Sequence, residues 1–202
     1  MNFVSFEPHI IVAAIFGALL IRWLIFNKHS YPVFLKFFTS EKDRLSYAYH
    51  EAGHALTLLK LDCGRELEQL TLSPSMQTGF GGIPFYSASH VNSKKLEDNI
   101  TLEQAYNWLI CELSGEAAEN LLHDTPGKSR LSAAHDKKTA KKIARHIAKH
   151  LPESSIKQLL AKAYMDTGVF MQDNQSALKD LAQALYKHKT LSAQEARTTI
   201  GL

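Results

Sequence analysis

Two hydrophobic patterns divide the chain. Residues 10–26, IIVAAIFGALLIRWLIF, are apolar apart from Arg22. As a helix this run would be about 25 Å long, which is close to the thickness of a bilayer core. Glu7 precedes the run, and positive charges follow it at Lys28, Lys36, Lys42 and Arg44. The pattern predicts an uncleaved single-pass transmembrane anchor with the following residues in the cytoplasm. An interfacial or buried helix is the alternative.

From residue 40 onward, apolar positions recur with helical spacing and predict a mainly α domain. A first helix begins at about Ser40 and ends at about Leu61, before Gly64. Alternation in ELEQLTLS and the glycine-rich GFGGIPFYS predict one small β element. Further helices are predicted at about 94–122, 132–150, 154–171 and 175–188, and the SAQE capping box at Ser192 opens a last short helix. The chain therefore divides into an anchor with its juxtamembrane segment, 1–39, and a domain, 40–202.

Composition and charge exclude several classes of protein. A chain of 202 residues suffices for one domain and one appendage, and its net charge of +3 does not demand a nucleic-acid partner. The basic stretch DKKTAKKIARHIAKH spaces its lysines as one solvated helix face, and the aromatic residues lie elsewhere. We therefore predict no nucleic-acid binding. Cys63 and Cys111 form no CxxC pair, which fits two buried thiols in a reducing compartment.

The motif that suggests chemistry is YHEAGHALTLLK, residues 49–60. Residues four apart lie on one face of a helix, so His50 and His54 can direct two imidazole nitrogens at one tetrahedral zinc ion. Zinc lowers the pKa of a bound water, and Glu51 would take the proton from that water and pass it to the leaving amine. The alternative is a solvated helix face with incidental histidines. The apolar surroundings and Gly53 weigh against that alternative.

Spacing alone does not identify a third zinc ligand. The continuation HExxHxxGxxH of the metzincins is absent, because ALTLLK follows His54. The downstream candidates are His90, Glu119, His123, His135 and Asp136. With Glu119 as the third ligand, the chain would be an unrelated, gluzincin-like peptidase.

Four blocks of the sequence resemble, in order, the peptidase domain of the FtsH family of membrane-anchored, ATP-dependent zinc metalloproteases. They are AYHEAGHAL, ELSGEAAENLL, SAAHDKKTAKKIAR and NQSALKDLAQALYKHKTLSAQEAR, within about residues 40–202. The resemblance implies a helical FtsH-type peptidase domain that binds one Zn²⁺ per chain. It implies His50, His54 and Asp136 as the zinc ligands. Glu51 would be the catalytic base.

The resemblance also implies two supporting elements. Glu119 would orient a ligand histidine without binding the metal itself. The stretch TGFGGIPF falls where the family has an edge strand beside the active site, and substrate would add there as an extra strand. The residues of this edge are Gly79, Phe80, Gly81 and Gly82.

The chain departs from the family pattern in three respects. Nothing in these residues resembles GxxxxGK(S/T), so we expect no ATP site, and the AAA+ module of the family is missing. Glu116 stands where the family has an arginine, which puts a local ion pair in question. His135 stands before Asp136, where the family usually has an asparagine.

Together these features predict a membrane-anchored zinc metalloendopeptidase that cuts flexible or unfolded segments of protein or peptide substrates, without an ATPase of its own. The membrane would be the bacterial inner membrane. The alternative is a non-catalytic, protease-like regulator or adaptor that binds an AAA+ protease or its substrates. A homo-oligomer and a separate AAA+ partner are both compatible with the resemblance.

Overall fold

A computed structural model describes residues 41–72, 74–78, 84–86, 90–91, 100–123, 132–151 and 153–202. By its contacts the chain divides into Met1–Glu41 and Lys42–Leu202, and the fold described below is that of the second unit. The predicted anchor at 10–26 and the predicted substrate edge at 79–82 lie outside the described residues, so both stay predictions. No helix within the described ranges is long and apolar enough to cross a membrane.

Six helices and five short strands follow one another in the described residues. The helices are α1 Glu41–Lys60, α2 Leu102–His123, α3 Ser132–His150, α4 Ile156–Asp173, α5 Gln175–His188 and α6 Ala193–Thr199. The strands are β1 Leu67–Thr71, β2 Pro74–Thr78, β3 Pro84–Tyr86, β4 His90–Val91 and β5 Thr190–Ser192. The predicted mainly α fold with a small β part is therefore confirmed.

The strands form two separate antiparallel pairings. β1 is the centre of a three-stranded sheet in the order β4-β1-β5, and β2 pairs with β3. The strand predicted in ELEQLTLS is confirmed as β1, in which Leu67 and Leu70 are buried. Leu191 of β5 lies opposite Leu70, so the sheet joins the last part of the chain to the segment that follows α1.

Local side-chain hydrogen bonds set the helix ends. Ser192 and Glu195 form the predicted capping box at the start of α6. Gly64 has a φ of 64°, a conformation that favours glycine, in the segment that follows α1. The predicted start of α2 at about residue 94 is wrong, because residues 100 and 101 are not helical. Thr101 and Gln104 instead exchange side-chain and backbone hydrogen bonds, which start α2 at Leu102, about two turns later than the apolar pattern suggested.

α2 is the central helix of this unit, since eleven of its twenty-two residues are buried. It packs against α3 and α4, and it also faces α1 at Gly53. A Cβ atom at Gly53 would lie 2.5 Å from the carbonyl oxygen of Ser114 and 2.9 Å from the Cβ of Ala118. Only glycine permits this approach, so the close packing of α1 against α2 explains the glycine at position 53.

Candidate metal centre

Three potential ligand atoms from two helices meet at one point. His50 and His54 lie one turn apart on α1, and their Nε2 atoms are 3.1 Å apart. Asp136, from the second turn of α3, places its Oδ2 3.1 Å from the Nε2 of His50 and 3.6 Å from the Nε2 of His54. Among the described residues, this is the group of histidine, cysteine and acidic side chains arranged to hold a metal ion.

The far nitrogen of each imidazole is held by a hydrogen bond. The Nδ1 of His54 donates to the backbone carbonyl of Cys111 over 2.7 Å, because a carbonyl can only accept. The Nδ1 of His50 donates to the Oε1 of Glu119, also over 2.7 Å. In the neutral rings both Nε2 atoms then carry lone pairs, and these lone pairs point at each other and at the Asp136 carboxylate.

This arrangement fits a zinc ion. Three acceptor atoms facing one another repel unless a cation lies between them. A tetrahedral ion at the usual zinc–nitrogen distance of about 2.0–2.1 Å separates neighbouring ligand atoms by about 3.3 Å. The observed separations of 3.1, 3.1 and 3.6 Å bracket that value. Bonds from the outer nitrogens to a carboxylate and a backbone carbonyl are the usual support of metal-binding histidines.

Gly115 of α2 leaves the space that this centre occupies. A Cβ atom built on Gly115 would lie 2.5 Å from the Cε1 of His50 and 2.6 Å from the Nε2 atoms of His50 and His54. Any other residue here would therefore press on the two atoms that are offered to a metal. The glycine is required by this contact across helices.

The charges of the centre favour a cation. Burial lowers the pKa of His50, but the carboxylates of Asp136 and Glu119 outweigh it and raise the pKa to about 10. The pKa of His54 is also raised, because the contact with Asp136 exceeds the effect of burial. Burial would raise the pKa of Asp136, yet both histidines hold it well below its usual range. Without a metal, protons supply the positive charge that the site demands.

Glu51 and Glu119 are both buried and both act on the histidine pair. Glu51 is buried on α1, and its charge acts on both His50 and His54, raising the pKa of each. Glu119 lies behind His50, at the nitrogen that does not face the centre. Its other oxygen accepts a hydrogen bond from Ser46 over 3.1 Å. This position agrees with the predicted orienting role of Glu119 and disfavours Glu119 as a third ligand.

Comparison with known proteins identifies the family. The sequence profile of peptidase family M41 matches residues 37–151, which is more than half of the chain. The chain belongs to peptidase family M41. The matched region contains α1, α2 and α3, and thus every residue of the metal centre described above.

The curated relatives that match this chain are longer proteins. An "ATP-dependent zinc metalloprotease FtsH" of Neorickettsia risticii is 27% identical over 186 residues, covering 77% of this chain and 28% of that protein. The protein of the same name from Mesomycoplasma conjunctivae is 29% identical over 157 residues, covering 77% of this chain and 18% of the relative. This chain therefore spans less than a third of the length of these relatives. The resemblance to the FtsH peptidase domain is confirmed.

The other histidines considered as third ligands lie away from the candidate metal centre, or their side chains lie outside the described residues. His123 contacts Ser46, with its Nε2 3.0 Å from the hydroxyl oxygen. His135 is exposed on α3, although it directly precedes Asp136. The side chain of His90 lies outside the described residues, as do the four residues of the predicted substrate edge, Gly79, Phe80, Gly81 and Gly82.

Sequence reasoning missed three supports of the centre. The carbonyl of Cys111 carries no sequence signal, because any residue offers a backbone oxygen. Ser46 lies one turn before His50 on α1, and that spacing was available as a signal. Gly115 stands in the family block ELSGEAAENLL, but only its distance to the histidines shows what it does. The prediction that Cys63 and Cys111 are buried and unbridged is confirmed.

Proposed function

We propose that this chain is a zinc endopeptidase that hydrolyses peptide bonds in flexible or unfolded protein segments. The observation that supports it best is the convergence of His50, His54 and Asp136 over the space left by Gly115. Membership of peptidase family M41 agrees with this activity. Two curated relatives carry the name zinc metalloprotease, which favours zinc over other metals.

His50, His54 and Asp136 would hold one zinc ion per chain. Such an ion supplies Lewis acidity, which makes water nucleophilic near neutral pH and polarises a peptide carbonyl. Glu51 is the general base, which takes a proton from the attacking water and returns it to the nitrogen of the leaving amine. Glu119 and the Cys111 carbonyl hold the two imidazole rings, so the ring orientations are fixed before substrate arrives.

Substrate would bind by its main chain. β2 and β3 form a two-stranded antiparallel pair, and the predicted edge Gly79–Gly82 lies in the segment between them. An extended peptide that adds to such an edge is recognised through backbone hydrogen bonds, with little dependence on its sequence. No GxxxxGK(S/T) motif stands in these 202 residues, so we propose that substrates must already be flexible or be delivered unfolded.

We also propose that residues 10–26 anchor the domain to a membrane, with the peptidase on the cytoplasmic side of a bacterial inner membrane. A homo-oligomer or a separate AAA+ unfoldase would then bring substrates to the site. Positive charges after the apolar run support this orientation.

The test is cleavage of a labelled, permanently unfolded protein by the purified chain, with zinc and without ATP. Glu51→Gln should lower the cleavage rate by about 10²–10⁴-fold while one zinc stays bound, because the base is lost and the ligands remain. Glu103→Gln, an exposed acid in the first turn of α2, is the matched control and should cleave as wild type does. Asp136→Ala should lose zinc as well as activity.

Two results would change the conclusion. Full activity in Glu51→Gln would refute the assignment of the base, and unchanged zinc content in Asp136→Ala would refute the third ligand. No cleavage by wild type with one zinc bound would instead favour a non-catalytic regulator, which a search for a bound AAA+ protease would then examine.

A further inference from the structure

An ion pair between α2 and α3 lies beside the metal centre, with a buried carboxylate and an ammonium group on a half-exposed side chain. Glu116, one residue after Gly115 on α2, has a side chain that is only 7% exposed. The Nζ of Lys137 lies 2.8 Å from the Oε2 and 2.9 Å from the Oε1 of Glu116. A buried carboxylate is costly unless a cation compensates it, so Glu116 depends on Lys137.

The two partners are direct sequence neighbours of residues that build the centre. Glu116 follows Gly115, which leaves space for the histidine pair, and Lys137 follows Asp136, which supplies the third acceptor atom. The pair therefore joins the helix behind the histidines to the helix that carries the aspartate. Burial raises the pKa of Tyr164 on α4, and the charge of Glu116 raises it further, so a third helix lies close to this carboxylate.

We propose that Glu116 and Lys137 are a positioning pair, which holds Asp136 in place against His50 and His54. This inference rests on the proposed zinc site. One residue of an α-helix corresponds to about 1.5 Å of rise and 100° of rotation. A slide or rotation of α3 that moved Asp136 out of reach would also pull Lys137 from its buried partner. The ion pair thus opposes the motions of α3 that would open the ligand set.

This restraint on α3 matters because a zinc site tolerates only small changes in its ligand distances. Ligand distances at zinc are kept within about 0.2 Å, whereas packed helices that move against each other shift by about 1–2 Å. Asp136 is the one member of the ligand set that does not lie on α1, so its position depends on how α3 packs. His50 and His54 are already held by their own outer hydrogen bonds.

The resemblance to the family gave an arginine at position 116 and left the local ion pair in question. The structure contains an ion pair at this place, in which Glu116 of α2 is the acid and Lys137 of α3 is the base. An arginine at position 116 would place a second positive charge against Lys137. The two residues therefore belong together, and a change at one calls for a change at the other.

The experiment measures metal binding as well as activity, on the full chain. The variants are Lys137→Gln, the conservative Lys137→Arg, and the charge exchange Glu116→Lys with Lys137→Glu. Lys138→Gln, at the exposed neighbouring lysine of α3, is the matched control. Zinc affinity is measured by competition with a chelator, and the ligand geometry by the visible spectrum of the cobalt-substituted protein. The thermal midpoint of each metal-free variant reports stability separately.

Lys137→Gln should lower zinc affinity by about 10- to 100-fold and alter the cobalt spectrum, which is the usual effect of removing an outer support of a metal site. Lys137→Arg and the charge exchange should recover most of the affinity, and Lys138→Gln should match wild type. If Lys137→Gln keeps wild-type affinity and spectrum, the inference is wrong, and a lower thermal midpoint alone would mean a merely stabilising pair. If wild type itself binds no zinc, the proposed function fails first.

Discussion

Replacing Gly115 with alanine is the sharpest test of the centre. In a helix, alanine is normally more stable than glycine by about 1 kcal/mol, so the change would ordinarily strengthen α2. Here the new Cβ would lie 2.5 Å from the His50 ring and 2.6 Å from the Nε2 of His54. Ordinary contact begins at about 3.4 Å, so the rings or the helix must separate by about 0.9 Å (3.4 minus 2.5).

That displacement is large for a metal site. Ligand distances tolerate about 0.2 Å, so a shift of 0.9 Å (3.4 minus 2.5) takes at least one imidazole out of position. The rings cannot turn away freely, because Glu119 and the Cys111 carbonyl each hold one by a 2.7 Å hydrogen bond. We expect zinc affinity to fall by about 100-fold or more, equivalent to about 2.7 kcal/mol, and peptide cleavage to fall at least as much.

Gly168→Ala is the matched control. A Cβ at Gly168, also inside a helix, meets nothing within 4 Å. This variant should gain about 1 kcal/mol of stability, or about 2–4 °C in Tm, and keep wild-type zinc affinity. Chelator competition, cleavage of a labelled unfolded protein and thermal unfolding of the metal-free chains are the three measurements. A Gly115→Ala protein with wild-type zinc affinity and cleavage would refute the geometry from which the centre is inferred.

Three further outcomes follow from single contacts. Gly53→Ala would press on the backbone oxygen of Ser114 and should cost about 1–2 kcal/mol, lowering Tm by about 2–8 °C in thermal unfolding. Ser46→Ala removes a hydrogen bond that supports the carboxylate behind the first histidine, and chelator competition should show zinc affinity lowered by up to about 10-fold. The pKa of Asp166 is lowered by Lys162 and a tyrosine hydroxyl, so its stabilisation is present above the ordinary pKa and lost as pH falls through the folded pKa. Tm measured against pH should therefore show Asp166→Asn below wild type by about 1–2 °C at pH 7, because the pair is largely exposed, and the gap should close as the pH falls through the lowered pKa of Asp166.

The sequence predicted best what local contacts determine. The capping box of Ser192 and Glu195 uses residues three apart, so it could be found without the fold. β5 was not predicted, because its three residues are strand only through pairing with β1, more than a hundred positions away. The start of α2 was placed too early, at about residue 94, because helical spacing of apolar residues already begins there. The helix itself begins at Leu102, where Thr101 and Gln104 form the hydrogen bonds that cap it.

The same division holds for the centre. The spacing of His50 and His54 indicated two ligands on one helix face, because both residues belong to the same helix. Spacing left the third ligand open among five residues, and Asp136 came from the resemblance to a family. No rule of helix periodicity connects Asp136 to α1, since the two meet only through the packing of α3.

The role of α2 explains why the HExxH motif of α1 indicated so little of this metal centre. α2 offers none of the proposed zinc ligands, yet residues spaced four apart along α2 contact the two histidines and the residues that hold them. From one end to the other these residues are Cys111, Gly115, Glu119 and His123. Their contacts on α1 run in the opposite direction, through His54, His50 and Ser46. The helices are therefore antiparallel here, and two four-residue ridges face each other across the site.

The contact between these two ridges restricts which residues α2 can carry, and this restriction is visible in a sequence. The position opposite the midpoint of the histidine pair must be glycine, because two imidazoles already fill that space. The position one turn further along must offer an acceptor to the outer nitrogen of the first histidine, as Glu119 does. A glycine followed four residues later by a buried acid, as in SGEAAE, thus completes the HExxH helix in physical terms. The second histidine imposes no such choice, since a backbone carbonyl serves it.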